Sequence, residues 1–293
     1  MHSDPTRNTT SIKVLLEWAK EKLLGAEIDS PVLDARLLLG FALDAPHERF
    51  YGLEDKILTR SQSDNYVKVI ERRCKREPVS RIMGTRGFWN LTLRLNLSSL
   101  DPRPDSEILI ESILTAFPDK AANLKFIDFG TGTGCLLLSA LNEFPNSNGV
   151  GLDISKECIR LAKENAILNG LGLRSFFIES DWGREVTDKF DVIIANPPYL
   201  QSDTIPTLDP EVKNFDPHIA LNGGPDGLSC YRELAPQFAA VLKEKGLIFL
   251  EIGYDQMESV ANIMEHSGFK CLHINQDLGK RDRCLVLAHH HQY

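Results

Sequence analysis

From Lys125 onward, short apolar runs alternate with longer amphipathic ones. KFIDF (125–129), GVGLDI (149–154), SFFIES (175–180), FDVIIA (190–195) and GLIFLEI (246–252) have the length and β-branched or aromatic content of buried strands. Between them, Cys135–Glu143, Lys156–Asn169 and Tyr231–Leu242 read as helices. Strands alternating with helices predict a doubly wound α/β fold with a mostly parallel sheet. Near the end, FKCLHI and RCLVLA are joined only by NQDLGKRD, a connection that favours an antiparallel pair. The expectation is a seven-stranded sheet with one antiparallel strand at its far side.

The first hundred residues have a different period. SIKVLLEWAKEKLL (Ser11–Leu24) places apolar residues at 12, 15, 16, 19, 23 and 24, a helical stripe that Gly25 stops. Ser30-Pro31 reads as an N-cap followed by proline at the first helical position, opening a second helix through VLDARLLLGFAL. A third helix is expected over Ser61–Arg76. The period then changes to two, with Leu91, Leu93, Leu95 and Leu97 alternating with Thr92, Arg94 and Asn96. That predicts a half-buried strand, in a hairpin with the Ile82–Phe88 region. DPRPDSE, with its spaced prolines, reads as an extended linker. The expected division is a small helical domain over 1–80, a hairpin and linker over 81–104, and an α/β domain over 105–293, with the change of character near residue 100.

Composition narrows the class. The 293 residues carry a net charge of −8. Residues 1–100 hold 16 Lys and Arg against 13 Asp and Glu, while the remainder holds 17 against 28. An acidic body is unsuited to binding long duplexes by phosphate neutralisation, so no stable nucleic-acid binding is expected. No run approaches the ~18 apolar residues of a membrane span, and the first residues lack a secretory apolar stretch. The six cysteines are scattered, without CxxC pairs, as in a reducing cytoplasm. The basic cluster Glu71–Arg86 reads equally as a solvated helix end or as a docking patch.

Candidate chemistry sits at the carboxyl ends of the strands, where ligands bind in such sheets. DFGTGTG ends the first strand with Gly130, Thr131, Gly132, Thr133 and Gly134, a spacing that lets backbone turn tightly and approach a ligand. Asp153 closes the second strand and either accepts from ribose hydroxyls or caps the helix that starts near Lys156. At the end of the third, Asp181 can accept from an exocyclic amine, and Trp182 either stacks on a base or belongs to the core. Together they suit a nucleoside. No Walker lysine follows the glycines, which leaves dinucleotides and S-adenosylmethionine.

The fourth strand ends in NPPY, Asn196, Pro197, Pro198 and Tyr199. Pro-Pro ends the ladder and frees the Pro197 carbonyl to stand beside the Asn196 side-chain oxygen. Two adjacent acceptors match a planar NH2 group with two N–H donors. Holding both hydrogens aims the nitrogen lone pair at a donor methyl and stabilises the positive charge that grows on nitrogen. Tyr199 is expected to form an aromatic wall of this pocket. The HHH at 289–291 reads as a solvated tail, and Asp277, Arg281 and Asp282 as organisers of the last hairpin loop.

DFGTGTG, Asp153 and NPPY resemble S-adenosylmethionine-dependent amino-group methyltransferases, a class that includes DNA adenine and RNA guanine-N2 enzymes. PVSRIMGTRGFW, LDPRPDSEILIES, FDPHIALNGGPDGLSCYREL, EIGYDQ and DLGKRDR are similar over nearly the whole chain to the protein-(glutamine-N5) methyltransferases that modify peptide chain release factors. That resemblance implies a class I, Rossmann-like methyltransferase domain, S-adenosylmethionine as cofactor with S-adenosylhomocysteine as product, and a cytoplasmic enzyme of translation termination. It implies as substrate the glutamine of the release factor's Gly-Gly-Gln loop. It carries the cofactor positions to Gly130–Gly134, Asp153, Trp182 and Asn196, and the glutamine pocket to Asn196–Tyr199. Arg81, Gly87, Asp101 and Trp182 depart from the family's usual residues. A ribosomal-protein glutamine, or an amino group on DNA adenine or RNA guanine, remains an alternative substrate at this point.

Overall fold

The computed structural model describes residues 10–292, and the chain divides into two compact units, Met1–Gly84 and Thr85–Tyr293. The first is helical: α1 (Ile12–Gly25), α2 (Pro31–Ala42), α3 (Arg60–Cys74) and the short α4 (Val79–Met83). The stripe on α1 buries Ile12, Leu15, Ala19 and Leu23 against Leu38 and Leu39 of α2 and Tyr66 and Ile70 of α3. Thr59 and Gln62 form a capping box that satisfies first-turn donors of α3. At α2 the expected serine cap is absent. Ser30 Oγ instead donates to Asp34 Oδ1 at 2.8 Å, and Arg73 pairs with the other oxygen at 2.8 Å. The basic segment is largely structural: Arg73 is buried in that pair, Arg72 bonds Glu77 and Arg76 reaches the Glu27 carbonyl.

The second unit opens with the hairpin β1 (Thr85–Phe88) and β2 (Leu91–Arg94), antiparallel about Trp89-Asn90. There follow α5 (Glu107–Ala116), β3 (Lys125–Phe129), α6 (Cys135–Glu143), β4 (Asn148–Asp153), α7 (Lys156–Leu168), β5 (Ser175–Glu179) and β6 (Phe190–Ala195). The short α8 (Pro210–Lys213), α9 (Ser229–Val241), β7 (Leu242–Glu251), α10 (Met257–His266), β8 (Phe269–Gln276) and β9 (Asp282–His289) complete it. Seven strands form one sheet in the order β5-β4-β3-β6-β7-β9-β8. Its first five strands run parallel, and β9 is antiparallel to both its neighbours. The reversed strand therefore lies one place in from the edge rather than at it, because β9 inserts between β7 and β8.

Alternation along the strands sorts side chains to two faces. Phe126, Val192, Ile194 and Phe249 pack with α5, α6 and α7, while Ile127, Phe129, Ile193 and Leu250 pack with α9 and α10. Strand β7 starts four residues earlier than its apolar run, since Leu242 pairs with Phe190 across an irregular register.

The hairpin belongs to this second unit. Strand β2 stops at Arg94, short of the expected alternation through Leu97, which is 72% exposed. Two carboxamides one turn apart, Asn165 on α7 and Asn169 at its C-cap, satisfy its open edge. Asn165 accepts from Arg94 N at 2.7 Å and donates to Arg94 O at 3.1 Å. Asn169 does the same for Thr92, at 3.3 and 2.9 Å. Each side chain stands where a neighbouring strand's peptide group would otherwise be.

Candidate active site

Beyond the carboxyl ends of β3, β4 and β6 lies a cavity of about 700 Å³. It lies where the chain order reverses, as β3 is flanked by β4 on one side and β6 on the other. Its walls include Gly130–Thr133, Asp153, Asp181, Trp182, Asn196 and Pro198, together with residues of the Leu97–Arg103 segment.

The glycine loop is built by its backbone conformation. Gly130, Gly132 and Gly134 take φ values of 75°, 55° and 83°, where a side chain is strained. Gly130 N and Thr131 N both donate to Leu152 O, at 2.9 and 2.8 Å, tying the loop to β4. A Cβ at Gly134 would meet Leu138 at 3.1 Å and Ala162 at 3.3 Å, so glycine also lets α6 and α7 close together.

Asp153 Oδ2 accepts from Gly132 N and Oδ1 from Ser155 N, both at 2.9 Å. It is not the helix cap. Ser155 caps α7 by accepting from Cys158 N, so Asp153 serves the loop. Burial raises its carboxyl above the usual range, and the two backbone N–H groups oppose that shift. Beneath the loop, Asp128 is 1% exposed and accepts from Thr131 Oγ1 at 2.7 Å through Oδ2. Its Oδ1 has no hydrogen-bond partner among the described residues, and burial pushes the carboxyl up to about 7.

Asp181 is exposed and pairs with Arg184 at 3.2 Å. Trp182, at φ 56°, is half-buried beside Gly130 and donates from Nε1 to Glu233 at 3.0 Å. It both touches the second core and lines the cavity, so the two readings of the sequence are not exclusive.

Asn196 follows the last ladder pair of β6, Ala195 with Leu250. Its Nδ2 donates to Ser106 Oγ at 3.1 Å. Among the described residues, none donates to Asn196 Oδ1 or to the Pro197 carbonyl. Pro197 and Tyr199 do not line the cavity. Tyr199 is not the expected aromatic wall: its ring packs with the second core and its hydroxyl donates to Glu251 Oε1 at 3.4 Å. Arg283 approaches the same hydroxyl at 3.5 Å and is held by Asp277 at 3.0 Å. Asp277 also accepts from Arg281 N, as expected of a loop organiser. Burial is the main reason the Tyr199 phenol is raised, with the nearby Glu251 charge adding to it.

Ser106, Glu251 and Arg283 escaped the reading of the sequence. Glu251 gives a signal of the same kind as Asp128 and Asp153, a carboxylate on the last residue or two of an apolar strand. Of the charged PRPDSE segment, Arg103 pairs with Asp216 and Glu107 accepts from Trp89 N. Cys135, Cys158 and Cys230 line the cavity, but burial pushes their thiols up to about 12, 12 and 11, so they are poor nucleophiles.

A doubly wound sheet of this order, with β9 reversed beside its edge and a glycine loop facing an acidic strand end, has the architecture of a class I methyltransferase. Residues 120–285 match the family model of the methyltransferase domain, and residues 14–84 match that of the PrmC N-terminal domain. A methyltransferase structure from Pyrococcus furiosus shares the fold, with TM-score 0.53 and 18% identity over 74% of this chain and 97% of that one. The release factor glutamine methyltransferase of Caulobacter vibrioides is 40% identical over 92% of this chain and 93% of its own length. That of Rhodospirillum rubrum is 41% identical over 93% of this chain and 83% of its own. The chain belongs to the release factor glutamine methyltransferase family. Among its described residues, no helix is long and apolar enough to cross a membrane.

Proposed function

We propose that this chain transfers a methyl group from S-adenosylmethionine to the side-chain amide nitrogen of the glutamine in the Gly-Gly-Gln loop of a peptide chain release factor. The observation that carries this reading is the pair of unclaimed acceptors beyond β6. Asn196 Oδ1 and the Pro197 carbonyl have no donor among the described residues, and Asn196 lines the cavity. A primary carboxamide brings the two N–H groups such a pair selects.

The cavity fits the cofactor. The positive-φ glycines keep Cβ atoms out of the loop, and a Cβ on Gly132 would have only the Gly130 carbonyl within reach, at 4.0 Å. Asp153 keeps lone pairs for ribose hydroxyls after its two backbone bonds, since a carboxylate offers about four acceptor sites. Gly130–Gly134 would cradle the methionyl portion, and Asp181 and Trp182 would hold the base by its amine and its face. Bound there, S-adenosylmethionine supplies a methyl carbon already activated by its sulfonium centre.

The protein's share is alignment and electrostatics. Amide nitrogen is a poor nucleophile because its lone pair is delocalised into the carbonyl. Asn196 Oδ1 and Pro197 O accept both amide hydrogens and so fix the plane of the NH2 group. They stabilise the charge that develops on nitrogen as the N–C bond forms and the S–C bond breaks. One amide proton then leaves to water, which restores a neutral secondary amide. The helical Met1–Gly84 unit offers surface for a protein substrate.

Transfer of labelled methyl to purified release factor, to the same factor with its loop glutamine replaced, and to ribosomal RNA and DNA tests the reading. Label is expected only in the intact release factor, and label confined to nucleic acid refutes the proposal. Asn196→Ala is expected to hold S-adenosylhomocysteine within several-fold of wild type and to lose turnover by about 10²–10³-fold, the scale of one removed charge-stabilising group.

A further inference from the structure

Behind Asn196 stands a buried carboxyl that the mechanism above does not use. Glu251, at the end of β7, is 2% exposed. Its Oε1 accepts from Tyr199, its Oε2 has no hydrogen-bond partner among the described residues, and the Ser106 hydroxyl is the leading influence that favours its charged form. Ser106 in turn is the group to which Asn196 Nδ2 donates, at 3.1 Å. A serine hydroxyl has one proton to give. If it points to Glu251, the Ser106 oxygen can only accept from Asn196. If Glu251 carries its own proton, the hydroxyl is released to donate to Asn196, and the carboxamide is then better satisfied turned over, with its NH2 toward the substrate.

We propose that Glu251 is a positioning residue for methyl transfer: its carboxylate draws the Ser106 proton and thereby locks Asn196 with Oδ1 presented to the substrate amide. The inference rests on the function proposed above. A turned-over Asn196 would set donor against donor, so transfer requires ionised Glu251. Burial pushes this carboxyl up to about 7; Ser106, Arg283 and Tyr199 lower it and Asp105 raises it. Tyr231, whose hydroxyl donates to the Glu251 backbone carbonyl, and the thiols of Cys135 and Cys284 also face it and stay protonated in this range. Turnover therefore falls about tenfold per pH unit below about pH 7 and is level above it.

The test is the pH profile of kcat for wild type, Glu251→Gln, Ser106→Ala and Ser106→Thr, with S-adenosylhomocysteine affinity measured calorimetrically in each. Glutamine cannot titrate, so Glu251→Gln is expected to lose the acid limb and to run slower than wild type above about pH 7. Ser106→Ala is expected to lose turnover and the limb together, and Ser106→Thr to regain both. Cofactor affinity is expected to stay within several-fold, which a general loss of structure would not allow. An acid limb unchanged in Glu251→Gln, or wild-type turnover in Ser106→Ala, overturns the inference. Should Glu251→Gln fail to fold, the serine pair decides alone. Wild type that leaves release factor unlabelled refutes the proposed function instead, so the two failures are distinct.

Discussion

Replacing Asp128 by asparagine isolates what the fold tolerates beneath the glycine loop. Asp128 lies in β3 at 1% exposure, with one oxygen bonded to Thr131 and the other without a partner among the described residues. Burial is the dominant cause raising its carboxyl from 3.8 to about 7, the Thr131 hydroxyl opposes it, and the Asp153 charge adds to it. Between these values the folded state binds a proton that the unfolded state has released, so stability falls as pH rises from about 4 to about 7 and is level above. The slope is about 1.4 kcal/mol per pH unit, which between about pH 5 and about pH 7 amounts to roughly 2–3 kcal/mol.

Asparagine has no proton to lose and keeps an oxygen for the Thr131 hydroxyl. The stability of Asp128→Asn relative to wild type should therefore grow by roughly 2–3 kcal/mol between about pH 5 and about pH 8. Glu251 titrates over the same range, but it does so in both proteins and cancels from the difference. Urea unfolding followed by tryptophan emission reads this, because Trp89 and Trp182 both lie in the Thr85–Tyr293 unit. A difference that stays constant across that pH range refutes the assignment of a buried, proton-binding carboxyl to β3.

Two further outcomes follow from packing. A Cβ at Gly151 would stand 2.7 Å from Thr131 Oγ1 and from the Phe177 ring, so Gly151→Ala should destabilise by about 1–3 kcal/mol and weaken S-adenosylhomocysteine binding, read by urea unfolding and calorimetry. Asn165 bonds the Arg94 N–H, the Arg94 carbonyl and the Thr133 carbonyl, so Asn165→Leu should cost roughly 3 kcal/mol or more and make the hairpin protease-sensitive; an unchanged cleavage pattern counts against its bridging role.

Much of the α/β framework was legible because burial leaves a periodic trace. KFIDF and FDVIIA match β3 and β6 end to end, since strands covered on both faces are predominantly apolar and stand out from the Gly- and Pro-containing segments that follow them. Helix α10 left a fainter trace, with only Val260 and Met264 buried along its length. The reversal of β9 was visible in a short connection, but its insertion inside the edge is a pairing choice that no local pattern encodes. The glycine loop was legible for a related reason, as its conformation demands one residue type. What the sequence could not disclose was partnership. Ser106 and Asn196 are 90 residues apart, and nothing in PDSE marks a hydroxyl that will meet a strand end. Tyr199 was expected in the pocket, and its turn toward Glu251 and Arg283 instead depends on two strands that follow it.

The distribution of charge explains why an uncharged residue closes β6. Asp128, Asp153 and Glu251 end or nearly end three other strands of the sheet, and burial raises all three carboxyls. A fourth carboxylate at position 196 would face the same desolvation and the repulsion of its neighbours, and would take up a proton. A protonated acid presents a donor on one oxygen, and an ionised one would pair with a bound cation before reaction as strongly as during it, which gives no selective stabilisation of the transition state. A carboxamide avoids both outcomes. Its oxygen is an acceptor at every pH, and its NH2 group supplies the donor by which Ser106 can fix its orientation. The same reasoning suits the second acceptor proposed above, the Pro197 carbonyl: it too cannot titrate, and the end of the ladder leaves it free.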